Sequence, residues 1–387
     1  MGSLTQHKLP IIDFTKENLK PGTSSWDKTS KQVLSALEEY GCFVAVYDHE
    51  VSLELRDKVF NKVEELFELP TATKMQNQAS IPLYGYVGQT PSLPLCESMG
   101  IDGANTLEGI QKFTNIMWPN GMQIHLKEFK NSLISCGPME MMILATKMQN
   151  KASIPLFGYV GQTPRASLSV KAWALMVQIH LKEFKNSLIS YGPMEMMVLG
   201  ETIHPFSKTI QKLEQMVVRM VFESYGAEKY YKEAYLKSAS HLFRVMKYRK
   251  PEENESKMGI VAHTDKTYMS IIHQKDEIDG LEIKAKDGQW FGVELSPSSF
   301  VVMAGEVILK HGAMTDFMLR VTMKGDKDRY TLAQFSMMKE IVETPEELVD
   351  QEHPSQFKPF DHFECLEFYG RPENRMLESA IKTYCGM

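Results

Sequence analysis

Two short groups of polar residues in the last third of the chain could carry chemistry. The first is His263-Thr264-Asp265, in which an imidazole and a carboxylate are two residues apart. Residues i and i+2 of a strand project to the same side, so the spacing predicts that both side chains converge on one point. They make up two thirds of the 2-His-1-carboxylate set that binds non-haem Fe(II). The alternative is a surface histidine beside a turn aspartate, since the pattern also occurs by chance.

The second group is Arg329-Tyr330-Thr331. If these residues form a strand, the guanidinium and the threonine hydroxyl face the same way. An arginine fork binds a carboxylate through two hydrogen bonds, and the hydroxyl can add a third. The pair therefore suits the far carboxylate of a dicarboxylate cosubstrate. A surface arginine in a salt bridge is the alternative, and the upstream His-x-Asp group in the same β-rich block favours the carboxylate site.

The elements that must position these groups are short and β-rich from about Ser240 onward. Examples are HLFRVMKYR, IVAHTDKTYMSIIHQ, SFVVMAGEVIL and RYTLAQFSMM, separated by turns such as KDGQ and ELSPSS. Regular short strands with turn signals are typical of an all-β sandwich or barrel. His273, after an apolar run, is predicted to be a core or edge residue.

The first hundred residues mix helices with a few strands. KLPIIDF and CFVAVYD read as strands. Between them, apolar residues at helical spacing predict a helix that Ser25 could cap and that Gly41 ends. A second amphipathic helix, SLELRDKVFNKVEELFELP, ends at Pro70.

A near-identical repeat interrupts the middle of the chain. Residues 72–91 recur as 145–164, and residues 123–144 recur as 178–199, each copy with only two differences. The two offsets are 73 and 55 residues, whereas a solenoid repeat has a single period. The pattern therefore predicts an insertion, produced by a recent duplication or by a misassembled gene model. Long surface insertions cost little, because loop-closure entropy grows slowly with length.

Composition limits the classes of partner. The chain has 387 residues, 43% apolar and 24% charged, with a net charge of -6, which gives no reason to expect a nucleic-acid partner. Its five cysteines have no CxxC spacing, and no apolar run reaches the roughly 18 residues that a membrane helix needs. The start lacks the pattern of a signal peptide. We therefore expect a cytoplasmic protein, a monomer that acts on a small molecule without a nucleic-acid or membrane partner.

Several longer segments resemble a known family. LFRVMKY, GIVAHTDK, DGLEIKAKDGQW and ELVDQEHPSQFKPFDHFECLEFY, together with RYT, are similar to the plant 2-oxoglutarate/Fe(II)-dependent dioxygenases. The most similar branch includes the side-chain-modifying oxygenases of glucosinolate metabolism. The resemblance implies a mixed α+β fold, a double-stranded β-helix (jelly-roll) core with flanking helices. It divides the chain into an N-terminal region at 1–121, the duplicated insertion at 122–200, and the jelly-roll domain with C-terminal helices at 201–387.

The resemblance also implies a site. His263 and Asp265 match two ligands of the Fe(II) cofactor. Arg329 and Thr331 match the pair that holds 2-oxoglutarate, the cosubstrate, with threonine in place of the usual serine, and Tyr248 lies near a tyrosine that contacts it. The implied reaction is 2-oxoglutarate-dependent hydroxylation, desaturation or dealkylation of a small organic, specialised metabolite.

The third iron ligand is missing from the expected position. The family pattern places a His-Arg-Val histidine ten residues before the arginine that corresponds to Arg329, and this chain has Leu319 there. Leucine cannot coordinate a metal, so the alternative function is a catalytically inactive homologue or a damaged gene product. The odd offset of Asp316 points it to the opposite face. His311 could replace the ligand only if a tight turn brought it back.

Overall fold

The computed structural model describes residues 7–15, 19–48, 50–90, 93–119, 194–275, 278, 280–309, 317–349, 351, 357–374, 377 and 380–385. Residues 1–113 and 199–387 form one compact unit, and residues 114–198 form a second. The duplicated insertion predicted at 122–200 falls almost entirely outside the described residues, so its boundaries stay a prediction. His311 and Asp316 also lie outside the described residues.

Two sheets contain the strands of the described chain. The larger has eight strands in the order β1-β2-β10-β7-β12-β5-β4-β3, and the smaller has four in the order β6-β11-β8-β9. The strands are β1 Ile11–Asp13, β2 Cys42–Val46, β3 Tyr86–Val87, β4 Cys96–Asp102, β5 Ala239–Tyr248, β6 Met258–His263, β7 Met269–Gln274, β8 Leu281–Lys284, β9 Trp290–Gly292, β10 Ser299–Ala304, β11 Leu319–Thr322 and β12 Arg329–Met338. The jelly-roll core with flanking helices is confirmed.

Helices flank the sheets at both ends of the chain. They are α1 Ser24–Tyr40, α2 Leu53–Glu68, α3 Thr71–Lys74, α4 Leu107–Met117, α5 Met194–Glu201, α6 Ile203–Ser224, α7 Glu228–Tyr230, α8 Leu236–Ser238, α9 Glu306–Leu309, α10 His362–Gly370 and α11 Ala380–Tyr384. A π-helical turn at Tyr231–Tyr235 and 3-10 turns at Glu346–Leu348 and Pro372–Asn374 complete the helical segments. In the described part of the chain, no helix is both long and apolar enough to cross a membrane.

The N-cap of helix α1 lies two residues earlier than the sequence suggested. Thr23, with extended backbone, caps the helix, and its hydroxyl accepts a hydrogen bond from the Trp26 amide. Ser25 cannot be the cap, because it already has helical backbone and a cap residue must precede the first turn. Gly41 ends the helix as predicted, in the left-handed conformation at φ 71°, and β2 follows at once.

The core that matters for the site lies between the two sheets. One continuous cluster of buried residues takes its members from both of them, among them Met246, Tyr248, Ile272, Val301, Ala333, Leu319 and Val321. The sheets approach closely at Gly259, where a Cβ atom would lie 2.9 Å from the Tyr248 ring. Strands from the N-terminal region, β2 and β4, pair with β10 and β5. The N-terminal region therefore helps to build the wall of the jelly roll.

Candidate functional site

His263 and Asp265 converge, although not for the reason that the sequence suggested. The strand β6 ends at His263, so Asp265 lies in the turn that follows, and the prediction that both lie on one strand is wrong. The chain folds back there and brings His263 Nε2 to 3.5 Å from Asp265 Oδ1. The two donors therefore face the same point at the end of the four-stranded sheet.

The hydrogen bonds of this pair leave metal-binding atoms open. His263 Nδ1 is 2.8 Å from the Val261 carbonyl oxygen. A carbonyl only accepts, so Nδ1 carries the proton and Nε2 keeps its lone pair. Asp265 Oδ2 is buried and has no hydrogen-bond partner in the described part of the chain. Burial opposes ionisation of Asp265, but in the metal-free site a protonated His263, the Ser270 hydroxyl and the Lys266 ammonium together outweigh it and hold the pKa of the carboxyl below its ordinary value.

Residues that the sequence reasoning missed hold the turn after His263. The Glu306 amide donates to the Asp265 carbonyl at 2.9 Å. The Glu306 carboxylate accepts hydrogen bonds from the Thr264 hydroxyl and the Lys266 ammonium. From α10, His362 Nε2 donates to the Lys266 carbonyl at 2.9 Å. Glu306 begins α9 directly after a glycine, and this acidic residue at a helix start was the sequence feature that could have pointed to these contacts.

Arg329 and Tyr248 form a second part of the site. They lie directly opposite each other on β12 and β5, with the guanidinium carbon 5.2 Å from the centre of the phenol ring. Arg329 is 2% exposed, and its Nη2 donates to Gln274 Oε1 at 2.9 Å. Thr331, also buried, lies opposite Gln274 on β7. The guanidinium, hydroxyl and phenol thus share one buried face, and burial raises the pKa of Tyr248.

Helix α2 supports this wall through an arginine that the sequence analysis did not single out. Arg56 Nε donates to His273 Nε2 at 3.2 Å, and Arg56 Nη2 donates to the Gln274 carbonyl at 3.3 Å. His273 is buried, as predicted, and its Nδ1 donates to the Ser299 carbonyl at 2.9 Å. One nitrogen of the neutral ring accepts and the other donates, so a second proton would break the contact with Arg56.

We expect acid to destabilise the fold through His273. Burial lowers its pKa to about 4 from 6.5, so below pH 6.5 the unfolded chain binds a proton that the folded chain does not. Stability is therefore lost between pH 6.5 and 4. Urea denaturation at pH 7 and pH 5 should show wild type losing about 2 kcal/mol more than His273→Gln. Equal losses in the two proteins would contradict this prediction.

Leu319 occupies the place of a third donor. It pairs directly with His263 across β11 and β6, and it is buried among apolar residues of both sheets. Directly opposed residues of an antiparallel pair have Cβ atoms about 5 Å apart on the same face. In the described part of the chain, no cluster of three metal-ligating side chains occurs. His263 and Asp265 fit iron in chemistry and placement, whereas the third position does not.

Two family profiles match the chain. The profile of the 2OG-Fe(II) oxygenase superfamily matches residues 239–337, which contain both parts of the site. The profile described as the N-terminal region of non-haem dioxygenases in morphine synthesis matches residues 9–99.

The sequence is also similar to curated plant proteins. A probable 2-oxoglutarate-dependent dioxygenase of Arabidopsis thaliana, AOP1.2, is 36% identical over 97% of this chain and 95% of its own length. The Arabidopsis 2-oxoglutarate-dependent dioxygenase AOP3 is 30% identical over 100% of this chain and 99% of its own. A probable inactive relative, AOP2, is 30% identical with the same coverage. The chain belongs to the 2-oxoglutarate- and Fe(II)-dependent oxygenases, and within them to the plant AOP group.

Solved structures support the fold. The dioxygenase for auxin oxidation 1 of Arabidopsis thaliana, as its 2-oxoglutarate complex, has a TM-score of 0.60 and 21% identity over 89% of this chain and 99% of its own. Neurospora crassa T7H has a TM-score of 0.62 and 16% identity over 94% and 96%. Iron and 2-oxoglutarate are the cofactor and cosubstrate of the family to which the chain belongs.

Proposed function

We propose that this protein oxidises a small organic, specialised metabolite in a reaction that depends on 2-oxoglutarate and Fe(II). Hydroxylation, desaturation and dealkylation are the outcomes that this chemistry allows. The proposal rests on the observation that one jelly roll contains both a metal-binding pair, His263 with Asp265, and a carboxylate-binding pair, Arg329 with Thr331. We further propose a cytoplasmic monomer that has no nucleic-acid partner.

The roles of this chain's residues follow from their placement. Arg329, held by Gln274 and stacked on Tyr248, would bind the far carboxylate of 2-oxoglutarate, and Thr331 would add a hydrogen bond. His263 Nε2 and the open oxygen of Asp265 would hold the metal. Bound together, iron and 2-oxoglutarate would activate molecular oxygen, the oxidant that removes hydrogen from a C–H bond while 2-oxoglutarate is converted to succinate and CO2. The apolar residues between the sheets limit the access of water to that point from the interior, while His263 itself is partly exposed.

Leu319 favours a second candidate function, a catalytically inactive member of the family. A leucine at the third position removes one of three protein ligands, and loss of a direct ligand costs more than the 10–100-fold typical of losses around a metal site. Such a protein would keep the jelly roll and the Arg329 site and bind 2-oxoglutarate without turning it over. The two candidates differ in one measurable property, iron-dependent succinate release.

Titration of the protein with Fe(II) in the presence of 2-oxoglutarate separates the two candidates. We expect succinate release that rises with Fe(II) and saturates only at a high concentration, because two ligands hold the metal weakly. His263→Ala should abolish it. His204→Ala, which changes a histidine of α6 bonded to the Ala104 carbonyl, is the matched control and should behave as wild type.

The opposite result is equally clear. Absence of succinate at every Fe(II) concentration, with Mn(II) affinity unchanged by His263→Ala, would establish the inactive homologue. Isothermal titration with 2-oxoglutarate would then show whether the Arg329 site alone is retained.

A further inference from the structure

Arg244 lies on the inner face of the larger sheet. It is the central residue of β5 between Gly100 of β4 and Ala333 of β12, and it is 4% exposed. Side chains alternate along a strand, so Arg244 faces the same way as Met246 and Tyr248, which belong to the core between the sheets. A guanidinium is therefore directed into the interior of the jelly roll.

This guanidinium has no counter-ion among the described residues. Its Nη2 donates to the Ser98 hydroxyl, whereas Nη1 is buried and has no hydrogen-bond partner there. The nearby Cys96 and Tyr248 do not supply a negative charge, because burial raises the pKa of Cys96 to about 12 and that of Tyr248 further. Burial lowers the pKa of Arg244 to about 10, which still leaves it charged.

A buried charge of this kind is unusual. Removing an ion from water costs several kcal/mol unless a partner offsets the loss, so buried arginines are normally paired. Lys74 shows the usual arrangement in the same protein, because its ammonium is 2.7 Å from Glu97 Oε2. Among the described residues Arg244 has an unpaired donor and no acidic partner, which is the state expected of a site whose anion arrives with a ligand.

The topology places Arg244 toward the His263 end of the interior. Gly259 of β6 packs against the Tyr248 ring, so β5 and β6 approach each other next to the connection that joins them. Arg244 precedes Tyr248 by four residues, and His263 follows Gly259 by four residues. Both residues therefore lie toward the end of the interior that is away from the connection between the two strands. Arg329 lies opposite Tyr248, and the residue opposite Arg244 is four positions further along β12, roughly 13 Å away. Arg244 and Arg329 are therefore at separate positions along the sheet.

Beyond Arg244 the interior becomes apolar. A small buried cluster of Tyr84, Leu242 and Met337 lies next along the same face, and Phe363 and Leu366 of α10 pack on it. A ligand held there would meet a cation at one point and apolar side chains around it.

We propose that Arg244 binds the anionic group, a carboxylate or a sulfate, of an otherwise apolar substrate. This inference rests on the proposed function, because it names the substrate class of the same site. Two charge-assisted hydrogen bonds from one guanidinium fit either anion. The energetic cost of the unpaired cation in the free protein is then recovered when the substrate supplies the missing charge.

Thermal unfolding of the free protein tests whether Arg244 is structural. Arg244→Met should leave Tm unchanged or raise it, because it removes a buried charge and leaves no acid unpaired. Lys74→Met is the matched control and should lower Tm, since Glu97 loses its cation. A fall in Tm for Arg244→Met as large as that for Lys74→Met would overturn the proposal.

Ligand-observed NMR tests the anion preference. Hexanoate, pentyl sulfate and neutral hexanamide share a pentyl chain, and their binding is compared in the presence of saturating 2-oxoglutarate, which occupies the Arg329 site. We expect at least one anion to bind about tenfold or more tightly than hexanamide, a preference lost in Arg244→Met and kept in part in Arg244→Lys. Which anion binds more tightly identifies the substrate group. Equal binding of all three to wild type would overturn the inference.

Failure of the proposed function gives a different result. If wild type does not bind 2-oxoglutarate, the anion series is measured in Arg329→Met, in which Arg244 is the remaining interior guanidinium of the two. A preference for the anions that persists in Arg329→Met and disappears when Arg244→Met is added supports the Arg244 anion site independently of the proposed function. A preference that is absent from Arg329→Met overturns the Arg244 proposal.

Discussion

Replacing Leu319 with histidine is expected to raise the affinity for Mn(II) or Fe(II) by about 100-fold or more. Leu319 lies opposite His263 on the neighbouring strand, so an imidazole at this position would face the same point as His263 Nε2 and Asp265. The change completes the 2-His-1-carboxylate set. Isothermal titration with Mn(II) in the presence of 2-oxoglutarate measures the gain, and succinate release with Fe(II) should rise with it.

The matched control is Val321→His. Val321 is two residues further along β11 and is buried in the same core, but it pairs with Ile260 and not with His263. It should bury an imidazole without adding a ligand, and the metal affinity should stay at the wild-type value. If Leu319→His also leaves the affinity unchanged, the loss of this ligand is not the sole defect of the site.

Replacing Arg329 with methionine is expected to weaken 2-oxoglutarate binding by about 30-fold or more. Truncation of one partner of a buried charge pair costs about 2–5 kcal/mol, and every 1.4 kcal/mol is a factor of ten in Kd. The Arg329 guanidinium is buried, stacked on Tyr248 and held by Gln274, so little of its binding energy is lost to reorganisation. Isothermal titration with 2-oxoglutarate measures the change.

Arg320→Met is the control for this effect. Arg320 lies on β11 and is bonded to Glu282 and stacked on Trp290, away from the inner face that carries Arg329. Its replacement should leave 2-oxoglutarate affinity unchanged. Equal affinities of Arg329→Met and wild type would show that the far carboxylate is held elsewhere.

Local pattern was sufficient for much of the fold and the site. Short β-rich runs after Ser240 predicted an all-β sandwich or barrel, and the resemblance of several longer segments to a known family implied the jelly roll. The helix-ending role of Gly41 was correct because a left-handed residue leaves a signal in the sequence itself. Thr23 was missed as the cap, because several hydroxyl residues stand together there and only the backbone shows which one precedes the first turn.

Contacts between distant segments could not be foreseen in the same way. The ion pair of Lys266 and Glu306, the link from Arg56 to His273, and the pairing of β4 with β5 join residues far apart in sequence. Strand pairing depends on which faces become buried together, and a single strand does not specify its neighbour. The participation of N-terminal strands in the jelly-roll wall therefore emerged only from the sheet order.

The sequence by itself determined that this chain has the residue types of a 2-oxoglutarate oxygenase and that Leu319 stands where its third iron ligand is expected. Both conclusions depend on residue identity and on spacing along the chain. The tertiary structure decided that Leu319 faces His263 across β11 and β6, and that Arg244 is buried with no acidic partner in the described part of the chain. Whether a charge has a partner is a property of distances in space, because the groups that could neutralise it come from other strands.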